Sequence, residues 1–288
     1  MPDCTRSAPS TTAPPWQASL GLRFEDDAGT TRLTGREHRG PLRVQKALYP
    51  EGARTCHVIV VHPPGGVVGG DRLELDVDLG AATRVLATSP GATKWYRANG
   101  KHGEQASRQR VRLRVGPGAA LEWLPQETIF YDDADVVLEH EVELAADARY
   151  IGSEILCFGR RAAGETFRSG QVRQHTRIRQ GGRLVWWEQG TVGPGLAAGD
   201  VMRSPLGLAG HSVCATLVAV GKPLPAALLH ALREADPTLG LSQVKNVFVA
   251  RHLGDDSEAA RACLLRVWQT LRPHLLDTPA RVPRIWNT

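Results

Sequence analysis

Short runs in which apolar and polar residues alternate dominate the chain, and they predict strands. The clearest begins at Arg72. Leu73, Leu75, Val77 and Leu79 fall on one face, with Arg72, Glu74, Asp76 and Asp78 on the other. The same period of two opens the chain at residues 16–25 (Trp16, Ala18, Leu20, Leu22, Phe24) and returns at 105–115 and 136–144, while 31–38 continue in extended pattern and 170–179 and 183–191 read as two more long strands. Residues 57–61, 83–89, 148–159 and 213–220 are more evenly apolar and predict further strands, while 42–48 continue extended after the turn at Gly40-Pro41. Gly181-Gly182 marks another turn. Helical spacing comes late, at 224–234 and in the stripe Ala260, Leu264, Val267, Trp268, Leu271. Asp255-x-x-Glu258 has the form of a capping box opening that stripe, and Pro273 is expected to end it. The expectation is a mostly-β protein with two or three helices towards the C-terminal half.

Two strands carry charge on one face. Arg108, Arg110, Arg112 and Arg114 lie opposite Val111, Leu113 and Val115, and Glu139, Glu141 and Glu143 share a face farther on. The plainer expectation is two solvated sheet faces. The sharper one lays the arginine column across glutamates of a neighbouring strand, or across an acidic partner.

Between strands, residues 62–71 read His-Pro-Pro-Gly-Gly-Val-Val-Gly-Gly-Asp. Pro63 and Pro64 remove two backbone donors and stop the preceding strand. Four glycines follow, which implies backbone at positive φ or backbone lying close against something else. We expect positive φ at two or more of Gly65, Gly66, Gly69 and Gly70. A second specified loop, Pro90 to Lys94, follows one strand later. A glycine-rich loop after a strand can cradle phosphate. Here no Gly-Lys-Ser/Thr follows, and the next element has period two rather than a helix start. A rigid turn is the alternative.

At 288 residues, with 42% hydrophobic and 23% charged content, the composition is that of an ordinary globular chain. Residues 1–15, rich in Ser, Thr and Pro, read as a disordered tail, and 16–288 as one domain. Seven tryptophans among few aromatics suggest large anchors in a core or interface. Five scattered cysteines without a Cys-x-x-Cys pair argue against a disulfide framework or a zinc ribbon. No apolar run approaches a membrane span and no signal peptide is evident, so a cytoplasmic location is expected. A net charge of +5 fits acidic protein partners as well as nucleic acid, and no RNA-binding motif accompanies it.

Enzyme signatures are absent: no Gly-x-Ser-x-Gly, no His-Glu-x-x-His, no P-loop. The ten histidines form no i, i+2 or i, i+4 pair. His62, at a strand end before the double proline, stands out, although a lone histidine there is commonly structural. The acidic segment Tyr131-Asp132-Asp133-Ala134-Asp135 lacks the glycine and terminal glutamate of a calcium loop and reads as a turn.

Several long motifs resemble one family. His-Pro-Pro-Gly-Gly-Val-Val-Gly-Gly-Asp at 62–71, Ser-Pro-Gly-Ala-Thr-Lys-Trp-Tyr-Arg at 89–97 and Leu-Glu-Trp-Leu-Pro-Gln-Glu at 121–127 are similar to the urease accessory protein UreD, called UreH in some organisms. So are Cys157-x-Gly159-Arg160 with Gly164-Glu165, the segment 251–254, residues 268–273 and the tail Pro283-Arg284-Ile285-Trp286-Asn287-Thr288. The resemblance spans nearly everything from Trp16 onward, although residues 193–210 look peculiar to this chain. It implies an elongated, two-layered, solenoid-like β architecture and a nickel-insertion chaperone subunit rather than an enzyme. It further implies a UreF-like direct partner, a UreG-like GTPase bound through that partner, and docking on apo-urease. No tightly bound cofactor is expected, only transient Ni²⁺.

Against that background three carboxylates stand out. Glu154 is in register with Tyr150, Leu156 and Phe158, Glu188 with Leu184 and Trp186, and Asp71 closes the glycine loop. A carboxylate on an apolar strand face needs a partner, water or a metal. Each can be satisfied locally by arginine or backbone amides. The alternative expectation is that Asp71, Glu154 and Glu188, with His62, line a wet path of weak sites that a nickel ion can enter and leave. A different class of reading is a metal- or nucleotide-dependent enzyme built on the loops of Asp71 and Lys94.

Overall fold

A computed structural model describes residues 15–98, 106–194 and 200–287, so most of the N-terminal tail and part of the 193–210 segment lie outside the described residues. The chain opens with a hairpin, β1 (Gln17–Asp27) and β2 (Thr30–Arg39), followed by β3 (Arg43–Val44) and β4 (Thr55–Val61). Next come β5 (Arg72–Leu79), β6 (Arg84–Thr88), β7 (Thr93–Trp95), β8 (Ser107–Val115) and β9 (Ala120–Leu124). β10 (Thr128–Phe130), β11 (Ala134–Leu144) and β12 (Arg149–Phe158) precede the hairpin β13 (Gly170–Gln180) and β14 (Arg183–Val192). The C-terminal part holds β15 (Val213–Val220), α1 (Ala226–Ala235), β16 (Gly240–Val244), β17 (Val247–Gly254) and α2 (Ser257–Leu276).

These strands form two sheets. One runs β14-β13-β11-β8-β5-β1-β2. The other runs β16-β17-β15-β12-β9-β6-β4-β3, with β10 joining β12 to β7. From β5 to β13 the main strands alternate between the sheets, and within each sheet β5-β8-β11-β13 and β6-β9-β12 pair in parallel. That winding is solenoid-like, as the family resemblance implied. Strand alternation then supplies two cores. In β9, Leu121 and Trp123 enter the core between the sheets, while Ala120 and Leu124 face the other way, under the helices.

The outward face of the seven-stranded sheet carries the charged columns, and they are paired rather than merely solvated. Parallel register places Asp76 beside Arg112 and Asp78 beside Arg114, and sets Glu139, Glu141 and Glu143 between the columns of β8 and β13. Arg112 Nε lies 2.6 Å from Asp76, Arg110 Nη2 3.1 Å from Glu141, and Arg177 Nη2 2.8 Å from the other oxygen of Glu141. Burial works to raise the Glu141 carboxyl, but these two arginines hold it below the usual range. Single exposed pairs contribute about 0–1 kcal/mol. Columns of alternating sign contribute order instead, because exchanging neighbouring strands would set like charges side by side.

Two details of helix α2 depart from the sequence expectation. Its N-cap is Asp256, whose side chain accepts from the amides of Glu258 and Ala259. Asp255 instead accepts from the amide and hydroxyl of Ser212, tying the helix start to β15. Nor does Pro273 end the helix, which continues to Leu276. Proline removes one donor there, but the last turn is held from outside: Arg84 donates to Leu276 O and Arg149 to Leu275 O, both at 2.8 Å. Leu271, Leu275 and Leu276 are buried, each contributing roughly 1.5–3 kcal/mol.

Candidate functional site

The glycine-rich segment folds as a close-packed turn rather than a left-handed one. Of its four glycines only Gly70 has positive φ, at 86°, so the expectation of two or more fails. Close approach explains the others better. A Cβ on Gly66 would lie 2.3 Å from Tyr96 Cε2 and 2.9 Å from Lys94 O, and one on Gly69 3.3 Å from Ala98 Cα. The two loops are laced together, with Val67 N donating to Lys94 O and Tyr96 N to Val67 O, both at 2.8 Å.

Asp71 locks this turn in place. Its buried carboxylate accepts from the amides of Trp16 at 2.8 Å and Val68 at 3.1 Å. It borders neither of the cavities described next, so it is not brought together with Glu154 and Glu188. Each of its two oxygens thus accepts one backbone amide.

Between the sheets lie two adjoining cavities, of about 100 and 250 Å³. Gln109, His140, Gln174 and Glu188 line the first from one sheet, and Glu154 and Thr216 from the other. His62, Gly65, Gly66 and Lys94 line the second, and both share Thr93, Gln109, Trp123 and Pro125. Strand alternation explains the polar residues in these walls. Inward positions run Val136, Leu138, His140, Val142 in β11 and Val172, Gln174, Thr176, Ile178 in β13. Apolar ends thus flank a polar middle.

Gln174 donates its amide to Glu154, and Arg251 Nη2 lies 2.7 Å from Glu188 Oε1. Burial, then the nearby Glu188 charge, pushes the Glu154 carboxyl up to about 7, against the pull of Gln174 and Arg251. Burial lowers His140 to about 4, leaving a neutral imidazole whose Nε2 lies 3.2 Å from the Tyr150 hydroxyl. Burial lowers His62 as well, opposed by the charge of Asp71. Trp186 Nε1 is buried with no partner among the described residues, and a water in the cavity would satisfy it.

Glu154 and Glu188 are therefore brought to one cavity, and His62 borders the adjoining one. His140, Gln109, Gln174 and Arg251 were not singled out from sequence. The available signal was a polar residue at an inward position of an otherwise apolar strand face. Among the described residues no three His, Cys, Asp or Glu side chains gather to hold a metal ion. In the turn at 131–135, Asp132 is committed to the amides of Arg168 and Ser169. The walls offer dispersed oxygen and imidazole donors, chemistry suited to passing contacts with a divalent cation rather than to a closed cage.

The family model described as UreD urease accessory protein matches residues 17–287. A relative named urease accessory protein UreD from Janthinobacterium sp. (strain Marseille) is 59% identical over 278 residues, covering 94% of this chain and 92% of its own. Relatives of the same name from Nitrosospira multiformis and Azoarcus sp. (strain BH72) are each 49% identical, covering 95% and 96% of this chain and 98% and 95% of theirs.

Proposed function

The chain belongs to the UreD family of urease accessory proteins, and we propose that it acts in urease maturation as a scaffold through whose interior nickel passes towards apo-urease. One observation carries this reading: two carboxylates from opposite sheets, Glu154 and Glu188, border a single cavity of mixed polar and apolar lining that adjoins a second beside His62. Ni²⁺ is cargo in this scheme. It exchanges water for carboxylate, amide and imidazole donors one or two at a time, so no site holds it long. The protein's own groups supply the walls, the charge and a neutral His140 at the cavity.

A UreF-like protein is the direct partner in this proposal, and a UreG-like GTPase joins through it. GTP hydrolysis belongs to that GTPase. The absence of a P-loop, together with the commitment of Asp71 to backbone amides, supports assigning no nucleotide site to this chain. The proposed location is the cytoplasm, and no helix among the described residues is long and apolar enough to cross a membrane.

Co-purification with the UreF-like protein and with apo-urease separately tests the scaffold role. Glu154→Ala and Glu188→Ala test the passage: nickel in co-expressed urease should fall while partner binding persists.

A further inference from the structure

Arg251 occupies a position where the fold calls for an apolar side chain. In β17, Val247 and Val249 belong to the core between the sheets, while Phe248 and Ala250 face the helices. Alternation therefore turns Arg251 inward. Its ladder partner is Thr216, which in turn pairs with Glu154, so Glu154, Thr216 and Arg251 form one row across the sheet. From the opposite sheet come Glu188, 2.7 Å from the guanidinium, and the ring of Trp186, 5.9 Å from its centre. Arg251 is the more exposed partner of the ion pair. The Arg251 side chain is 45% accessible, that of Glu188 is 23%, and Glu154 lies in the cavity wall.

We infer that Arg251 is a displaceable plug at the Glu188 end of the passage. This inference rests on the passage proposed above. The guanidinium is a tethered cation already seated on one of the two carboxylates that a divalent cation would need. Two like charges at one carboxylate repel, so an entering or leaving ion must push Arg251 aside. The geometry permits that movement. Arg251 is half-exposed, has a long flexible stem, and donates one ion-paired hydrogen bond to Glu188. While it is seated it neutralises the site, which lowers the apparent affinity for any cation by the fraction of time it is closed.

The test uses the full-length chain in its complex with the UreF-like partner, with radiolabelled Ni²⁺ in equilibrium dialysis and urease activation at limiting nickel as a second readout. Arg251→Gln should bind Ni²⁺ at least about threefold more tightly than wild type and activate urease at lower nickel. Arg251→Lys, which keeps the charge, should stay close to wild type. Glu188→Gln should weaken binding, and in that background Arg251→Gln should bring no gain, since the cation has lost the partner Arg251 was blocking. A purely structural Arg251 would not produce that dependence. If Arg251→Gln matches wild type, or weakens binding as Glu188→Gln does, the plug is wrong and the passage stands. If Glu154→Gln and Glu188→Gln both bind and load nickel as wild type does, the passage itself fails, and the plug with it.

Discussion

Arg272, in the last two turns of the buried side of α2, donates its Nε to both carboxylate oxygens of Glu122 in β9, at 3.0 and 2.9 Å. Neither side chain reaches solvent, and the pair does not stand alone. The guanidinium also binds both oxygens of Glu51, at 2.7 and 2.9 Å, Glu51 lies 2.7 Å from His57 Nε2, and Trp268 Nε1 donates to Glu122 at 2.6 Å. Burial pushes the Glu122 carboxyl up, and Arg272 opposes it. One arginine thus ties the C-terminal helix to the sheet and to the loop before β4.

Removing that arginine takes away the cation shared by two buried carboxylates, leaving Glu51 only His57 and Glu122 only the Trp268 indole among the partners named above. Arg272→Met should cost about 3–5 kcal/mol in chemical denaturation, or appear as loss of soluble protein. Adding Glu122→Gln should restore part of that loss. Equal damage from the single and the double variant would mean that charge is not the cause.

The turn at residues 62–71 makes a sharper contrast. Gly66→Ala should destabilise by about 1–3 kcal/mol, because its Cβ meets Tyr96 and a backbone oxygen. Gly91→Ala, where nothing lies within 4 Å and φ is not positive, should change the melting temperature little.

Much of this fold is legible in the sequence, and its limits are physical. Alternation in β5, β8, β11 and β13 marks the strands because each has one dry and one wet face. It does not mark the strands β16 and β17, whose short runs sit among charged and glycine residues and form through a hairpin at Lys245-Asn246. Parallel register, which no single strand encodes, decides that the arginine and glutamate columns pair. Glu154 and Glu188 show in sequence as carboxylates in register with apolar neighbours. Asp71 looks alike there, yet backbone amides from a distant strand start claim it. Arg251 and His140 escape notice because their meaning depends on which sheet faces them.

His140 and Glu154 should give the cavity opposite pH signatures. His140 titrates near 4 when folded and near 6.5 when unfolded, so the unfolded chain binds the extra proton and stability falls as pH drops from 6.5 to 4. Glu154 is raised from 4.5 to about 7, so the folded chain holds the extra proton and stability falls as pH rises from 4.5 to 7. Each window amounts to about 3 kcal/mol. Relative to wild type, Glu154→Gln should gain stability between pH 5 and 8, and His140→Gln should gain it between pH 7 and 5. Denaturation curves at these pH values check both, and parallel shifts for the two variants would contradict the assignment.

The C-terminal tail should act as a clasp. Trp286 donates Nε1 to Thr88 Oγ1 at 2.7 Å and packs edge-on against Trp268, with ring centres 5.9 Å apart. Deleting the last six residues should cost a few kcal/mol and lower the soluble yield. An unchanged melting curve would show that the clasp is idle.

The account turns on whether nickel passes between the sheets. The direct measurement is the nickel content of urease matured in cells carrying Glu154→Ala/Glu188→Ala in this chain, with recovery of the UreF-like partner scored in the same preparation. The account predicts urease depleted in nickel and in activity, with the partner bound as in wild type. Urease fully loaded with nickel, beside an intact partner complex, would contradict it.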